Sequence, residues 1–197
     1  CLAGTRLLVE ESIRDEFMER FNHHADALVL GDSRDPATQI APMVHPDHRA
    51  AVHGFVERAR ANGDRIVRGG HPLPDSLHYE PTLIEPKSND SEVVQHEIFG
   101  PVLTLQTFAD EAEAIRLANS TAYGLSAIVF TTSRERAERV GRALRAGLVW
   151  VNTFLIRDLT APFGGCGISG IGREGGEHAL EFHSDLKTLM ILDDSTG

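Results

Sequence analysis

Apolar positions recur in two distinct periods along this chain. After an opening run of small residues, Leu7-Leu8-Val9-Glu10 reads as a strand. Ser12 is placed to cap a helix in which Ile13, Phe17, Phe21, Ala25 and Leu28 recur every three or four positions and make one apolar face. Gly31 to Pro42 is turn-rich. Pro46 suits the first turn of a second helix carrying Val52, Phe55, Val56 and Ala59, which stops near Asn62-Gly63 and is followed by a short strand, Arg65 to Arg68. The middle of the chain is more regular: strand Val102 to Phe108, helix Asp110 to Asn119, strand Ser126 to Thr132, a helix from Ser133 to about Ala146, a stop at Gly147, and strand Leu148 to Asn152. Alternating strands and helices, with strands apolar on both faces, predict an α/β fold: a mostly parallel, twisted sheet covered by helices. A glycine-rich loop from Phe163 to Gly176, a short helical stretch and a last strand, Leu186 to Leu192, complete the prediction.

Composition narrows the class without naming it. A chain of 197 residues, 41% apolar and 24% charged, suits one ordinary domain with a sizeable core. The net charge of −10 argues against nucleic acid as a partner, because phosphate contacts need clustered Lys and Arg that this chain nowhere concentrates. No apolar run approaches the roughly 20 residues of a membrane span, so no membrane partner is expected. Two cysteines far apart, Cys1 and Cys166, make no disulfide framework and point to a reducing, cytoplasmic compartment.

Candidate chemistry starts at residue 1, which is Cys rather than Met. A lipid-modified Cys, a self-processed amino-terminal nucleophile and a Cys internal to a longer parent are the three readings; the apolar, β-prone segment that follows is unlike a lipoprotein tether. A Cys among small residues is also compatible with plain burial, since nothing in sequence supplies the base or cation a thiolate needs. Gln95 to Val102 sets an acid, an aromatic ring and a Gly-Pro turn before a strand, where binding groups often sit, although a solvated Glu97 and a core Phe99 are the bland alternative. Gly165-Cys166-Gly167-Ile168-Ser169-Gly170 formally matches a dinucleotide fingerprint but lacks its strand and crossover helix; close backbone approach explains so many glycines better. His23-His24 and His45-Pro46-Asp47-His48 lack the companion ligands of a metal shell, and no metal is expected.

Together these segments form a pattern. Cys1-x-Ala-Gly-Thr-Arg6, Glu97-Ile-Phe-Gly-Pro101, Asn119-x-x-x-Tyr-Gly-Leu125, Gly147-x-x-x-Val-Asn152 and Pro162-Phe-Gly-Gly165 ending in Gly172-Arg-Glu174 occur in an order and spacing that resembles the aldehyde dehydrogenase superfamily, from residue 1 to about 192. The resemblance implies that Cys1 is the nucleophile, passing through a thiohemiacetal and a thioester, with NAD or NADP as cofactor and a small-molecule aldehyde as substrate. It implies that Glu97 binds the nicotinamide ribose, that Phe99 packs near the nicotinamide, that Phe163 lines the aldehyde entrance, and that Glu174 assists proton movement.

A finer resemblance concerns the substrate. Arg157-Asp158-Leu159 before Pro162-Phe163-Gly164-Gly165, with Ser169 to Gly176 after it, is similar to the hydroxymuconic and aminomuconic semialdehyde dehydrogenases of aromatic-ring degradation. Their substrates carry a carboxylate, which a guanidinium can grip through two parallel hydrogen bonds, so Arg157 is the expected substrate-binding residue; a surface Arg paired with a local acid is the alternative. Gly167 stands where many members carry Lys, so broad aldehyde specificity is not assumed. The resemblance divides the chain into a catalytic domain, residues 1–185, and an oligomerisation strand, residues 186–192, which implies a homo-oligomer. The family's Rossmann-like cofactor domain, general-base Glu and oxyanion-stabilising Asn precede the nucleophile and have no counterpart in these residues, so the 197 residues alone are expected to be inactive. The competing reading is a non-catalytic α/β module of the same fold that oligomerises with or regulates a full-length partner.

Overall fold

The computed structural model describes residues 1–192. Strand β1 (Arg6–Glu10) leads through a single 3-10 turn into helix α1 (Arg14–Asp26), and then come α2 (Pro46–Asn62), β2 (Arg65–Arg68), β3 (Thr82–Glu85) and the one-turn α3 (Glu92–Gln95). The second half runs β4 (Val102–Phe108), α4 (Glu111–Ala118), β5 (Ser126–Val129), α5 (Arg134–Ala143), β6 (Leu148–Val151) and α6 (Gly176–His183). The architecture is α/β and rich in parallel pairing, as the alternation predicts. The strands form two ladders rather than one sheet: β1-β4-β3-β2, in which only β2 runs antiparallel, and a separate parallel pair, β5-β6.

Helices cover both faces of the larger sheet. Successive strand residues point to opposite sides, and on β3 Leu83 joins Val9, Leu105 and Met18 of α1, whereas Ile84 joins Val52, Val56 and Ala59 of α2 together with Tyr79 and Val93. Leu83, Ile84, Leu105, Val52 and Val56 are fully buried, which explains why β3 and β4 are apolar on both faces. The sequence pattern does not mark β3 or α3; β3 is only four residues long, and its apolar run cannot reveal a period.

Element ends follow local hydrogen bonding. The α2 start has Pro46 in its first turn and His45 Nδ1 accepting from the Asp47 amide; its end is Gly63 at φ 90°. Asp110 and Ser133 cap α4 and α5 with their side chains. Ser12 does not cap α1: its hydroxyl donates to Glu10 inside the 3-10 turn, and Ile13 occupies the cap position. Helix α5 stops at Ala143, short of Ala146, because the Asn119 side chain donates to the Ala143 carbonyl and accepts from the Arg145 amide. Strand β5 ends at Val129 rather than Thr132, and Asn152, at φ 53°, takes both backbone groups of Thr131 with its amide side chain.

Leu186 to Leu192, read from sequence as a strand, pair with no strand among the described residues, and Leu186, Leu189, Met190, Ile191 and Leu192 stand exposed. No helix of the described residues is long and apolar enough to cross a membrane.

Leu105 at the centre of β4 sets the first test. Leu105→Ala is expected to lower the unfolding free energy by about 2–5 kcal/mol in urea denaturation, and the exposed Leu189→Ala to change it by less than about 0.5 kcal/mol. Equal effects would contradict this placement of the core.

Candidate active site

The candidate residues fall into two groups, one lining a single cleft and the other not among its lining residues. Cys1, Glu97 and Phe99 line one cleft of about 660 Å³. Strands β1 and β4 are parallel neighbours, with Arg6 opposite Thr104 through to Glu10 opposite Phe108, so the segments that precede them leave the sheet at the same end. The Thr104 amide extends the ladder by donating to the Thr5 carbonyl. Cys1 is exposed at the cleft. Phe99 has φ 55°, a conformation rare for an aromatic residue, and the residue is 60% exposed. Gly100 follows because a Cβ there would lie 2.7 Å from both Val52 methyl carbons. The ring is thus held outward by a backbone that its own side chain does not favour, as happens where placement matters more than local comfort.

Arg6 anchors the strand that follows Cys1. Its guanidinium donates to the Leu117 carbonyl at 2.7 Å and to Ala118 at 3.3 Å, satisfying the carboxyl end of α4, while its buried Nε finds no partner. Burial pushes the Arg6 pKa down from its ordinary value. Across the cleft, Arg145 donates to the carbonyls of Asn119 and Thr121. Arg6, Asn119 and Arg145 all line the cleft. Sequence reading gave none of them a role, although Arg6 and Asn119 each stand at the end of a recognised motif. A second hollow, of about 350 Å³ between α1 and the start of β4, is apolar, lined by Phe21, Leu28, Pro81 and Leu103, and holds no candidate residue.

The second group comprises Arg157, Phe163 and Glu174, none of which lines the Cys1 cleft. Phe163 and Glu174 form an antiparallel bridge with backbone bonds of 2.7 and 2.8 Å. The Arg157 guanidinium lies 4.6 Å over the Phe163 ring, a cation–π contact worth about 0.5–1 kcal/mol at an exposed site. Arg157 Nη2 is 3.7 Å from a Glu174 carboxylate oxygen, outside hydrogen-bond reach. The local acid anticipated as an alternative partner therefore exists, at a loose distance. Asp158 is engaged elsewhere: it accepts from the Thr160 hydroxyl at 2.7 Å and amide at 2.9 Å, and these bonds, the hydroxyl first, hold its carboxyl below the usual range. A depressed carboxyl stabilises this turn above its ordinary pKa and ceases to do so as pH falls through the lowered value.

Glycines let these loops meet. Gly176, at φ 54°, has the Thr160 carbonyl 2.3 Å from where a Cβ would stand, which brings the Glu174 segment onto the Arg157 loop. At Gly147 a Cβ would stand 1.7 Å from the Gly164 carbonyl oxygen. The dinucleotide-like stretch serves the same end: Gly167–Ser169 is a 3-10 turn, and the Cys166 amide and thiol both face the Gly124 carbonyl.

Comparison with known proteins identifies the family and the fold. The sequence profile described as the Aldehyde dehydrogenase family matches residues 1–189. The 2-hydroxymuconic semialdehyde dehydrogenase of Pseudomonas sp. (strain CF600) is 41% identical over 197 residues, covering 97% of this chain and 40% of the relative. Among solved structures, HpcC from Thermus thermophilus superposes with a TM-score of 0.91 at 42% identity, covering 96% of this chain and 38% of that one. Betaine aldehyde dehydrogenase from Staphylococcus aureus, solved in complex with NAD+, superposes with a TM-score of 0.88 at 38% identity, covering 92% and 37%. The chain spans about two-fifths of the length of the curated relative it matches.

The backbone contact at Gly147 makes a sharp prediction. Gly147→Ala should cost about 1–3 kcal/mol or more of stability by chemical denaturation, because main chain must move. Gly141→Ala in α5, where a Cβ meets only a Val149 methyl at 3.9 Å, should be neutral or stabilising by up to about 1 kcal/mol. Equal losses would contradict the close approach.

Proposed function

Because the chain belongs to the aldehyde dehydrogenase family, we propose that it supplies the nucleophile of an NAD- or NADP-dependent oxidation whose substrate is a carboxylated semialdehyde, of the kind formed in aromatic-ring degradation. The convergence of Cys1, Glu97 and Phe99 on one cleft carries this reading. The name of the 2-hydroxymuconic semialdehyde dehydrogenase supports the substrate class, whereas the betaine aldehyde dehydrogenase, at similar identity, acts on a cationic aldehyde. Arg157 favours the anionic one.

The chemistry follows from the thiol. Cys1 Sγ, as thiolate, adds to the aldehyde carbon; a C–S bond forms and the carbonyl electron pair moves to oxygen. Water later adds to the thioester carbon, the C–S bond breaks, and the acid leaves as the thiolate returns. NAD or NADP, when bound, supplies the acceptor for the hydride lost between these steps. Glu97 and Phe99 would hold it: both are exposed in the cleft, one as an acceptor for ribose hydroxyls and the other as a ring for the nicotinamide to pack against. Glu174, exposed and beyond hydrogen-bond reach of Arg157, is the proposed aid to proton movement. Residues 1–185 are the proposed catalytic unit, acting in the cytoplasm, and the exposed apolar segment 186–192 the proposed contact between subunits of a homo-oligomer.

The test joins this chain, at Cys1, to the upstream portion of a muconic semialdehyde dehydrogenase relative. The hybrid should form NADH from a carboxylated semialdehyde, and Cys1→Ala should reduce that to background. The 197 residues by themselves should form none. Arg157→Ala should raise KM for the carboxylated semialdehyde by about tenfold or more, as loss of a charge-assisted pair implies, with a neutral aldehyde changed by less than about twofold. Equal effects on both aldehydes would sink the assignment of Arg157.

A further inference from the structure

Arg157 is a guanidinium whose face is occupied and whose edge is open. Its plane is stacked on Phe163, and among the described residues no oxygen accepts a hydrogen bond from it. Its nearest anion, Glu174, comes no closer than 3.7 Å, and both side chains are substantially exposed, at 43% and 63%. The other charged neighbours along these loops are committed: Asp158 to Thr160, and Arg173 to the carbonyls of Gly165 and Gly172. Phe163 and Glu174 are opposite one another in the antiparallel bridge, and opposite residues project to the same face. That shared face explains why both meet Arg157.

We propose that Glu174 is the internal counter-ion of this site and Phe163 its positioning residue: Glu174 holds the place on Arg157 that the substrate carboxylate takes over, and the Phe163 ring keeps the guanidinium plane fixed during the exchange. The proposal rests on the reading of Arg157 as the carboxylate-binding residue. A solvated pair without a hydrogen bond is worth little, a factor of about one to five in an equilibrium constant, so an incoming carboxylate making two parallel hydrogen bonds displaces it readily. An uncharged aldehyde has nothing to offer in exchange, and a cationic one meets Arg157 as a like charge. Glu174 therefore competes weakly with a substrate carboxylate for Arg157, and occupancy of Arg157 frees the Glu174 carboxylate.

Binding of adipate, a six-carbon dicarboxylate, to the 197-residue chain tests this without any turnover. The 15N side-chain signal of Arg157, assigned by its loss in Arg157→Lys, reports occupancy of that residue alone, and adipamide is the uncharged control. Glu174→Gln is expected to tighten adipate binding about two- to fivefold. Phe163→Leu is expected to weaken it about two- to fivefold, and Phe163→Tyr, which keeps the ring, to stay within about twofold of the original. A Glu174→Gln chain that binds adipate no more tightly overturns the counter-ion role, and a Phe163→Leu chain with unchanged affinity overturns the positioning role. Should Phe163→Leu not fold, a Phe163→Tyr chain with affinity lost overturns the positioning role instead. If adipate leaves the Arg157 signal of the unsubstituted chain unmoved, the carboxylate site itself falls, while the Cys1 chemistry stands or falls by NADH formation in the hybrid.

Discussion

Everything at the cleft depends on the parallel pairing of β1 with β4. Two parallel strands in register begin at the same end of a sheet, so their preceding segments must emerge side by side. One segment carries Cys1 and the other Glu97 and Phe99. An antiparallel pairing would have sent them to opposite ends. The ladder is held from beneath by Val9 and Leu105 on Met18, and from the side by Arg6 gripping the end of α4. Open α/β sheets usually receive ligands at the carboxyl ends of their strands; here the candidate residues gather at the amino ends of β1 and β4.

The second group is positioned by other means. Arg157, Phe163 and Glu174 lie on loops beyond β6, which meet through backbone approaches that no side chain larger than hydrogen permits at Gly147 and Gly176. A ladder fixes direction and register at once, whereas these loops are fixed by a two-residue bridge, a committed Asp158 turn and Trp150 donating to the Ile156 carbonyl. One group thus hangs from a buried sheet and the other from a surface framework of hydrogen bonds.

How much of this could be read from sequence differs by element. Helices α2, α4 and α5 are legible because their caps are chemical signals: Pro46 and Gly63, Asp110, Ser133. Ser12 carries the same signal but bonds Glu10 instead, since β1 turns into α1 with no room for a cap. The division into two ladders is not legible, because periodicity tells which residues face a core and not which strands pair. Arg6 and Asn119 are visible as motif letters, but their work, closing the ends of α4 and α5, appears only when the helix ends are in view. The six candidate residues all follow from motifs; their partition into two groups does not, because the contact between Arg157 and Glu174 is made by glycine conformations rather than by any pattern of side chains.

The ladder that organises the cleft joins residues about a hundred positions apart in the chain. Contacts of such separation require a large loop closure before they return any stabilisation, which places them among the slow steps of folding. During synthesis Cys1 is made well before Phe108, and β1 has no parallel partner until that residue has followed. The thiol therefore waits, apart from Glu97 and Phe99, while the whole of the intervening segment is added.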